Sequence, residues 1–360
     1  MDAGLPPEVT AKLAKLQEGV TAMPWETIRG VIETELGPVE ELFEHIDETP
    51  IAAASIGQVH RAVTRDGAQV VVKVRYPGVD SSMNADFAMM NTMAKLAGLF
   101  SAVDGKALVE ELRERVLEEC DYAREATSQR RFAGLLQTDA DIVVPAVLAS
   151  YCSASVLTTE FIDGQRFGAF IAEATDQARS RAATALFRLN FGPLLRDGVL
   201  HADPHPGNQL YLEGGRIAAL DFGCIRAFKP AFVTLFLRFV DGIVADDRTE
   251  FAALAEALGL APRPEKIDFD AMWGQYRWMF EPLWREGFRF TRQWWLEGRQ
   301  YTKPTAPNAR HQGMPPEWIW LQRVVWGLWA VLLKLDGVAD FRSQWLQLRS
   351  GREHAETLYA

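Results

Sequence analysis

The chain has 360 residues, 48% of them hydrophobic, 24% charged and 11% aromatic, with a formal net charge of −10. That composition excludes a disordered, collagenous or low-complexity chain, and the acidic balance excludes a general nucleic-acid binder, which needs clustered cations. The cysteines Cys120, Cys152 and Cys224 are too few and too far apart for a disulfide framework or a four-thiolate zinc site, and they fit a reducing compartment.

The start, MDAGLPPEV, has neither the basic region nor the apolar core of a secretory signal. Residues 8–46 read as two or three helices: Leu13, Leu16 and Val20 recur at helical spacing, and Trp25 follows Pro24. From Ile51 the small-residue stretch AAASIGQVHRA leads through the turn signal Asp66-Gly67 into QVVVKVRYPGV, which is β-branched and strand-like. Residues 83–136 read as a long helical region, with Leu108, Leu112, Val116, Cys120 and Ala123 on one buried face. Two strands are expected next, in DIVVPAVLAS and SASVLTTEFI, before a helical stretch over 170–199. The polar loop HADPHPGN then precedes a hairpin, QLYLEGGRIAALDFG, turning at Gly214-Gly215. Beyond Cys224 the pattern is helical to the end. The longest clean apolar run, Val324 to Leu333, is ten residues, half of the ~20 that a spanning helix needs. No transmembrane segment is expected. At roughly 150 residues per domain the pattern predicts an α+β protein of two lobes. The N-lobe covers 1–160, with its extra N-terminal helices, and the helical C-lobe covers 161–360.

Three segments carry chemistry, and their order is informative. Ala52, Ala54, Gly57 and Val59 lie in a small-residue loop, followed sixteen residues after Gly57 by Lys73 on a strand. His201-Ala202-Asp203 has Asn208 five residues after the aspartate, and Asp221-Phe222-Gly223 follows a short strand. Protein kinases use a phosphate loop, a strand lysine, H-R-D-x-x-x-x-N and D-F-G in that order. Such a loop lets backbone N–H groups approach phosphates, the lysine neutralises phosphate charge, and carboxylate and amide oxygens hold Mg²⁺. Alanine replaces the first two loop glycines here, and Ala202 replaces the arginine. After D-F-G the chain passes almost directly into FKPAFVTLFLRFV, without an A-P-E motif. That argues against a regulated kinase docking peptides.

The segments AAASIGQVHRA, VVVKVRYPGV, EECDYAREA, HADPHPGN and DFG together resemble the UbiB/AarF atypical kinases, a branch of the protein-kinase-like fold. They span 51–223, and similar flanks extend the likeness over nearly the whole chain. The resemblance implies ATP and Mg²⁺ as cofactors and a role supporting isoprenoid-quinone (ubiquinone-type) biosynthesis, on or with a small lipophilic molecule. It implies nucleotide contacts from Ala52, Ala53, Ala54, Ser55, Gly57, Val59 and Lys73, with Glu160 and Ile162 at the adenine hinge beside Thr159. Glu125 becomes the partner of Lys73, Asn208 and Asp221 the metal ligands, and Asp203 the base or water-positioning group. Glu119 and Asp121 match the family's E-x-D pair. On an ideal helix they point about 200° apart, so a shared task requires an irregular helix.

Two other readings stay open: a small-molecule kinase of another protein-kinase-like branch, or a non-catalytic, nucleotide-gated chaperone of lipids or enzymes. His201, Asp203 and His205 suggest zinc only weakly, since no third histidine or cysteine is spaced to join them. Ten of the eleven tryptophans lie between Trp273 and Trp345, interleaved with Arg277, Arg285, Arg289, Arg292 and Arg323. They read either as an aromatic helical core or as an amphipathic surface for a lipid or the inner face of a membrane, with a cytoplasmic location. Family members carry a K-x-G-Q motif just upstream of the stretch matching Leu5–Val20. The expectation is a chain truncated before that point; the alternative is a protein that has lost the segment. The oligomeric state is not legible.

Overall fold

The computed structural model describes residues 22–53, 56–79, 120–303 and 305–359. The expectations for Leu13, Leu16, Val20, Leu108, Leu112 and Val116 lie outside those residues. The chain forms two compact units that interleave along the sequence. The first holds residues up to 134, 145–162 and 221–224; the second holds 135–144, 163–220 and 225–360.

In the first unit, helices α1 (Trp25–Leu36) and α2 (Val39–Leu42) precede strands β1 (Phe43–Ile46), β2 (Ala52–Ala53), β3 (Gly57–Thr64) and β4 (Gln69–Arg75). Helix α3 (Tyr122–Leu136) follows. Residues 43–46 were expected to be helical with the rest of 8–46, and Val39, Phe43 and Ile46 do keep the spacing of a helix face. They form an edge strand instead. The helix ends at Leu42, and Phe43 and Ile46 are buried on either side of the exposed Glu44 and His45. Strand β3 pairs antiparallel with β4 across the Asp66-Gly67 turn, where Gly67 adopts φ 87°. Directly opposed residues share a sheet face. Gln58, His60 and Ala62 therefore face with Val74, Val72 and Val70 onto the core that Ile28 and Ile32 of α1 cover. Gly57 and Val59 share the other face with Arg75 and Lys73.

Two adjustments concern the middle of the chain. Of the stretch DIVVPAVLAS only Ile142–Val143 forms a strand, β5, and it pairs in parallel within the second unit. Pro145, which lacks an N–H, interrupts the run, and Val147 instead bridges to Thr159. The strand expected in SASVLTTEFI is β6 (Val156–Glu160), the neighbour of β4. Cys120 is buried, but Ala123 is exposed. Helix α3 begins only at Tyr122, so Cys120 precedes it, and the buried side of α3 is Tyr122, Glu125, Ala126, Gln129 and Phe132.

The second unit begins its own run with α4 (Phe167–Glu173) and the 22-residue α5 (Asp176–Asp197). Thr175 caps α5 through its hydroxyl, and Gly198 ends it in the left-handed region at φ 65°. Eleven of its side chains are buried. It delivers β7 (Val199–His201), then β8 (Gln209–Tyr211) and β9 (Ile217–Ala219) as the expected hairpin. At Gly215 an added Cβ would lie 2.1 Å from the Ala178 carbonyl oxygen, so the turn and α5 touch backbone to backbone. The chain beyond Cys224 is not helical at once: β10 (Ile225–Ala227) pairs with β7 before α6 (Pro230–Ala245).

The rest is helical: α7 (Phe251–Ala257), α8 (Phe269–Met279), α9 (Glu281–Trp284), α10 (Arg292–Thr302), α11 (Pro316–Leu335) and α12 (Phe341–Tyr359). Helix α11 is long and apolar enough by length and composition to cross a membrane, a property the ten-residue run did not reveal. Within this unit it is a core helix, burying Trp318, Trp320, Val324, Leu328 and Trp329 among other residues. Seven of the ten C-terminal tryptophans are buried.

Candidate functional site

Strand β2 curls back onto β3, with Ala52 opposite Val59 and Ala53 opposite Gln58. The first two alanines of the small-residue loop are thus paired strand residues; Ala54 and Ser55 lie outside the described residues. Gly57 must be glycine. A Cβ there would lie 2.5 Å from the Val74 carbonyl oxygen and 2.6 Å from the Tyr122 hydroxyl. Gln58, from the same signature, works on the opposite face. Its Oε1 accepts from the Met23 N–H at 2.8 Å, and its amide meets His60 at 2.9 Å.

Lys73 lies between Val59 on β3 and Leu157 on β6. Its ammonium donates to both carboxylate oxygens of Glu125, at 2.9 and 3.0 Å, and to Asp221 Oδ2 at 3.3 Å. Glu125 is only 3% exposed, against 20% for Lys73 and 39% for Asp221. Burial works against the lysine's charge, but Asp221 and Glu125 override it and hold the pKa above the ordinary lysine value. Burial pushes the Glu125 carboxyl up, Lys73 pulls it down, and Asp221 adds to the rise. The Phe222 N–H reaches Glu125 Oε1 at 3.4 Å, and the Gly223 N–H donates to Asp221 Oδ1 at 3.0 Å. Phe222 is fully buried against Phe132 of the same helix α3. The D-F-G segment is therefore fastened to α3 at Glu125 and Phe132.

Tyr122 was not singled out by its sequence. Its ring lies under the Lys73 ammonium, 4.9 Å from the ring centroid, and burial pushes its hydroxyl up to about 12. That hydroxyl has no hydrogen-bond partner among the described residues. The only signal was its place three residues before Glu125, the spacing that puts two residues on one helix face.

In the second unit, the loop after β7 presents Asp203 with both carboxylate oxygens engaged. Oδ2 accepts from the Asn208 amide at 2.7 Å, and Oδ1 accepts from the Arg323 guanidinium at 2.9 Å. Asn208 donates through its amide nitrogen, and an amide oxygen can only accept or ligate. The loop is closed by the Asn208 N–H to the His205 carbonyl and by the Leu220 N–H to the Asn208 carbonyl. His205 accepts from the Gly207 N–H, a local cap, while His201 is buried. Among the described residues no group of three histidine, cysteine or acidic side chains could hold a metal by itself. Asp221 in the first unit and Asn208 in the second each carry a hard oxygen of the kind that Mg²⁺ takes.

The remaining expected residues fall in several places. Glu119 lies outside the described residues. Asp121 is exposed and caps α3: its Oδ1 accepts from the Arg124 N–H at 3.1 Å. At the end of β6 Thr159 is buried. The Glu160 N–H is taken by the Ala146 carbonyl and the Phe161 N–H by Gln69. Ile162, half-buried, follows two residues later.

The ABC1 atypical kinase-like domain matches residues 15–255. An uncharacterized chloroplastic aarF domain-containing protein kinase of Arabidopsis thaliana is 36% identical over 266 residues, covering 72% of this chain and 37% of that protein. The mitochondrial atypical kinase coq-8 of Caenorhabditis elegans is 29% identical over 262 residues, covering 71% and 35%. A solved Mycobacterium tuberculosis protein in complex with erythromycin aligns with a TM-score of 0.77 at 30% identity, over 97% of this chain and 89% of that one. The matched stretch thus spans little more than a third of the length of either eukaryotic relative.

Proposed function

This chain belongs to the ABC1 atypical kinase-like family, and from that premise we propose that it binds ATP with Mg²⁺ and hydrolyses it or passes its phosphoryl group to a small lipophilic acceptor. The observation that carries the reading is the lysine held by two carboxylates, Lys73 with Glu125 and Asp221. A surface lysine has no need of a buried glutamate. A phosphate-binding lysine does, because the pair fixes the ammonium where phosphate oxygens arrive.

In this reading Lys73 takes the phosphates and Glu125 orients it. Asp221 and Asn208 hold Mg²⁺, which when bound neutralises phosphate charge. Asp203 orients the attacking water or takes the acceptor's proton. Ala52 and Ala53, tied into a strand pair, stand where a glycine loop would be freer to close over the phosphates. The similarity to coq-8 supports a role beside isoprenoid-quinone synthesis, with a quinone-head-group precursor as the acceptor class. ADP release by the purified protein tests this, with and without liposomes carrying such a precursor. Stimulation by the precursor supports an acceptor, and ADP release indifferent to it supports plain hydrolysis.

A second reading is favoured by the erythromycin complex of the Mycobacterium tuberculosis relative: a nucleotide-gated binder of bulky lipophilic molecules. Macrolide binding that depends on Mg-ATP yet survives Asp203→Asn would select it over catalysis.

A further inference from the structure

The catalytic-loop sequence His201–Asn208 contains no lysine or arginine, and Ala202 stands where the H-R-D pattern has its cation. A charge-assisted hydrogen bond from a cation fixes a carboxylate more firmly than a neutral donor does. The structure brings one from 120 residues away: Arg323 of α11 donates to Asp203 Oδ1 at 2.9 Å. Two further contacts on the same helix show how it is placed. One turn later, Gly327 meets Pro204, and a Cβ at Gly327 would lie 2.3 Å from the Pro204 ring. One turn earlier, the Trp320 ring carries the Arg226 guanidinium at 4.3 Å, and Arg226 lies on β10, the partner of β7. Trp320, Arg323 and Gly327 are spaced i, i+3 and i+7, so they share one face of α11. That face grips the loop at Pro204, its carboxylate at Asp203, and the strand pair leading into it.

We infer that Arg323 is a positioning residue for Asp203, a cation supplied by α11 in place of the one that the catalytic loop lacks. Gly327 sets the close approach that lets it reach. The inference rests on the proposed role of Asp203 and extends it. Half of the Arg323 side chain is exposed, and one of its N–H groups holds the carboxylate.

Steady-state ADP release with Mg-ATP tests this in four single variants and one double. Arg323→Gln should lower kcat about tenfold to a hundredfold, the scale of a misplaced catalytic group. KM for ATP and the thermal midpoint should stay near wild type, because the contact touches neither nucleotide nor core. Arg323→Lys should recover much of the loss, and Gly327→Ala, which keeps the arginine but lifts the helix, should show it again. In an Asp203→Asn background Arg323→Gln should add nothing. If Asp203→Asn abolishes turnover but Arg323→Gln leaves kcat within about twofold of wild type, the inference is overturned while the reading of Asp203 stands. Should Asp203→Asn turn over at the wild-type rate, that reading fails and takes the inference with it.

Discussion

The two charge clusters are built on opposite principles. Around Lys73 the ion pair itself is buried: Glu125 is 3% and Lys73 20% exposed, the lysine lies between a strand partner on each side and an aromatic ring beneath, and only Asp221, 39% exposed, opens to solvent. Around Asp203 the charges are half open, with Asp203 32% and Arg323 48% exposed. Breaking a buried pair strands a charge in a poor solvent, whereas breaking an exposed pair hands both partners to water. The first cluster is therefore bound up with the stability of its unit, and the second can change with little effect on folding. A residue that orients a reacting group without holding the fold belongs in the second kind of site.

Stability measurements can break or sharpen that contrast. The largest effect is expected from Lys73→Met, which leaves Glu125 buried beside Asp221 with no cation. Denaturant unfolding should show a loss of about 3 kcal/mol. Its pH dependence follows from Glu125, whose pKa is already raised by burial and by Asp221. A carboxyl raised in the folded state contributes stability below its ordinary range and loses it as pH rises through the folded value. The deficit of Lys73→Met should therefore be smallest near about pH 4 and grow toward neutrality. A deficit that shrinks with rising pH would contradict the burial of Glu125.

Gly57→Ala comes next. The new methyl must displace both the Val74 backbone and the Tyr122 hydroxyl, at a cost of about 1–3 kcal/mol. Adding Tyr122→Phe should recover only part of it, since Val74 is backbone. Asp121→Ala should cost about 1 kcal/mol through the lost cap on α3, and Asp121→Asn should restore stability. Activity that stays low in Asp121→Asn would give the acid a task beyond capping. The smallest change is expected from Arg323→Gln, below about 1 kcal/mol and reduced further by salt. A loss as large as that of Lys73→Met would show the second cluster to be structural too.

What the sequence disclosed was whatever local chemistry decides. Asp66-Gly67 and Gly214-Gly215 announced their hairpins because each turn requires a positive φ. The pairing of Lys73 with Glu125, 52 residues apart, was legible only through the order of the motifs and the family resemblance. Arg323 was visible as one of several tail arginines, but its contact with Asp203 depends on how α11 crosses the loop, and Gly327 looked like any helical glycine. The strand at Phe43–Ile46 was hidden because three apolar residues kept helical spacing across a helix end. The span 1–160 took Ile142–Val143 into the N-lobe, whereas this two-residue strand pairs in the second unit, because a strand that short carries no pairing signal of its own.

The account depends on Asp221 holding a metal beside a lysine-bound phosphate. The most direct test is the thermal midpoint of wild type and Asp221→Asn with ATP, in Mg²⁺ and in chelator. Wild type should be stabilised by ATP only when Mg²⁺ is present, and Asp221→Asn, though folded, should gain nothing from Mg-ATP. An Asp221→Asn protein stabilised by Mg-ATP as strongly as wild type would contradict the assignment of this cluster as the nucleotide and metal site.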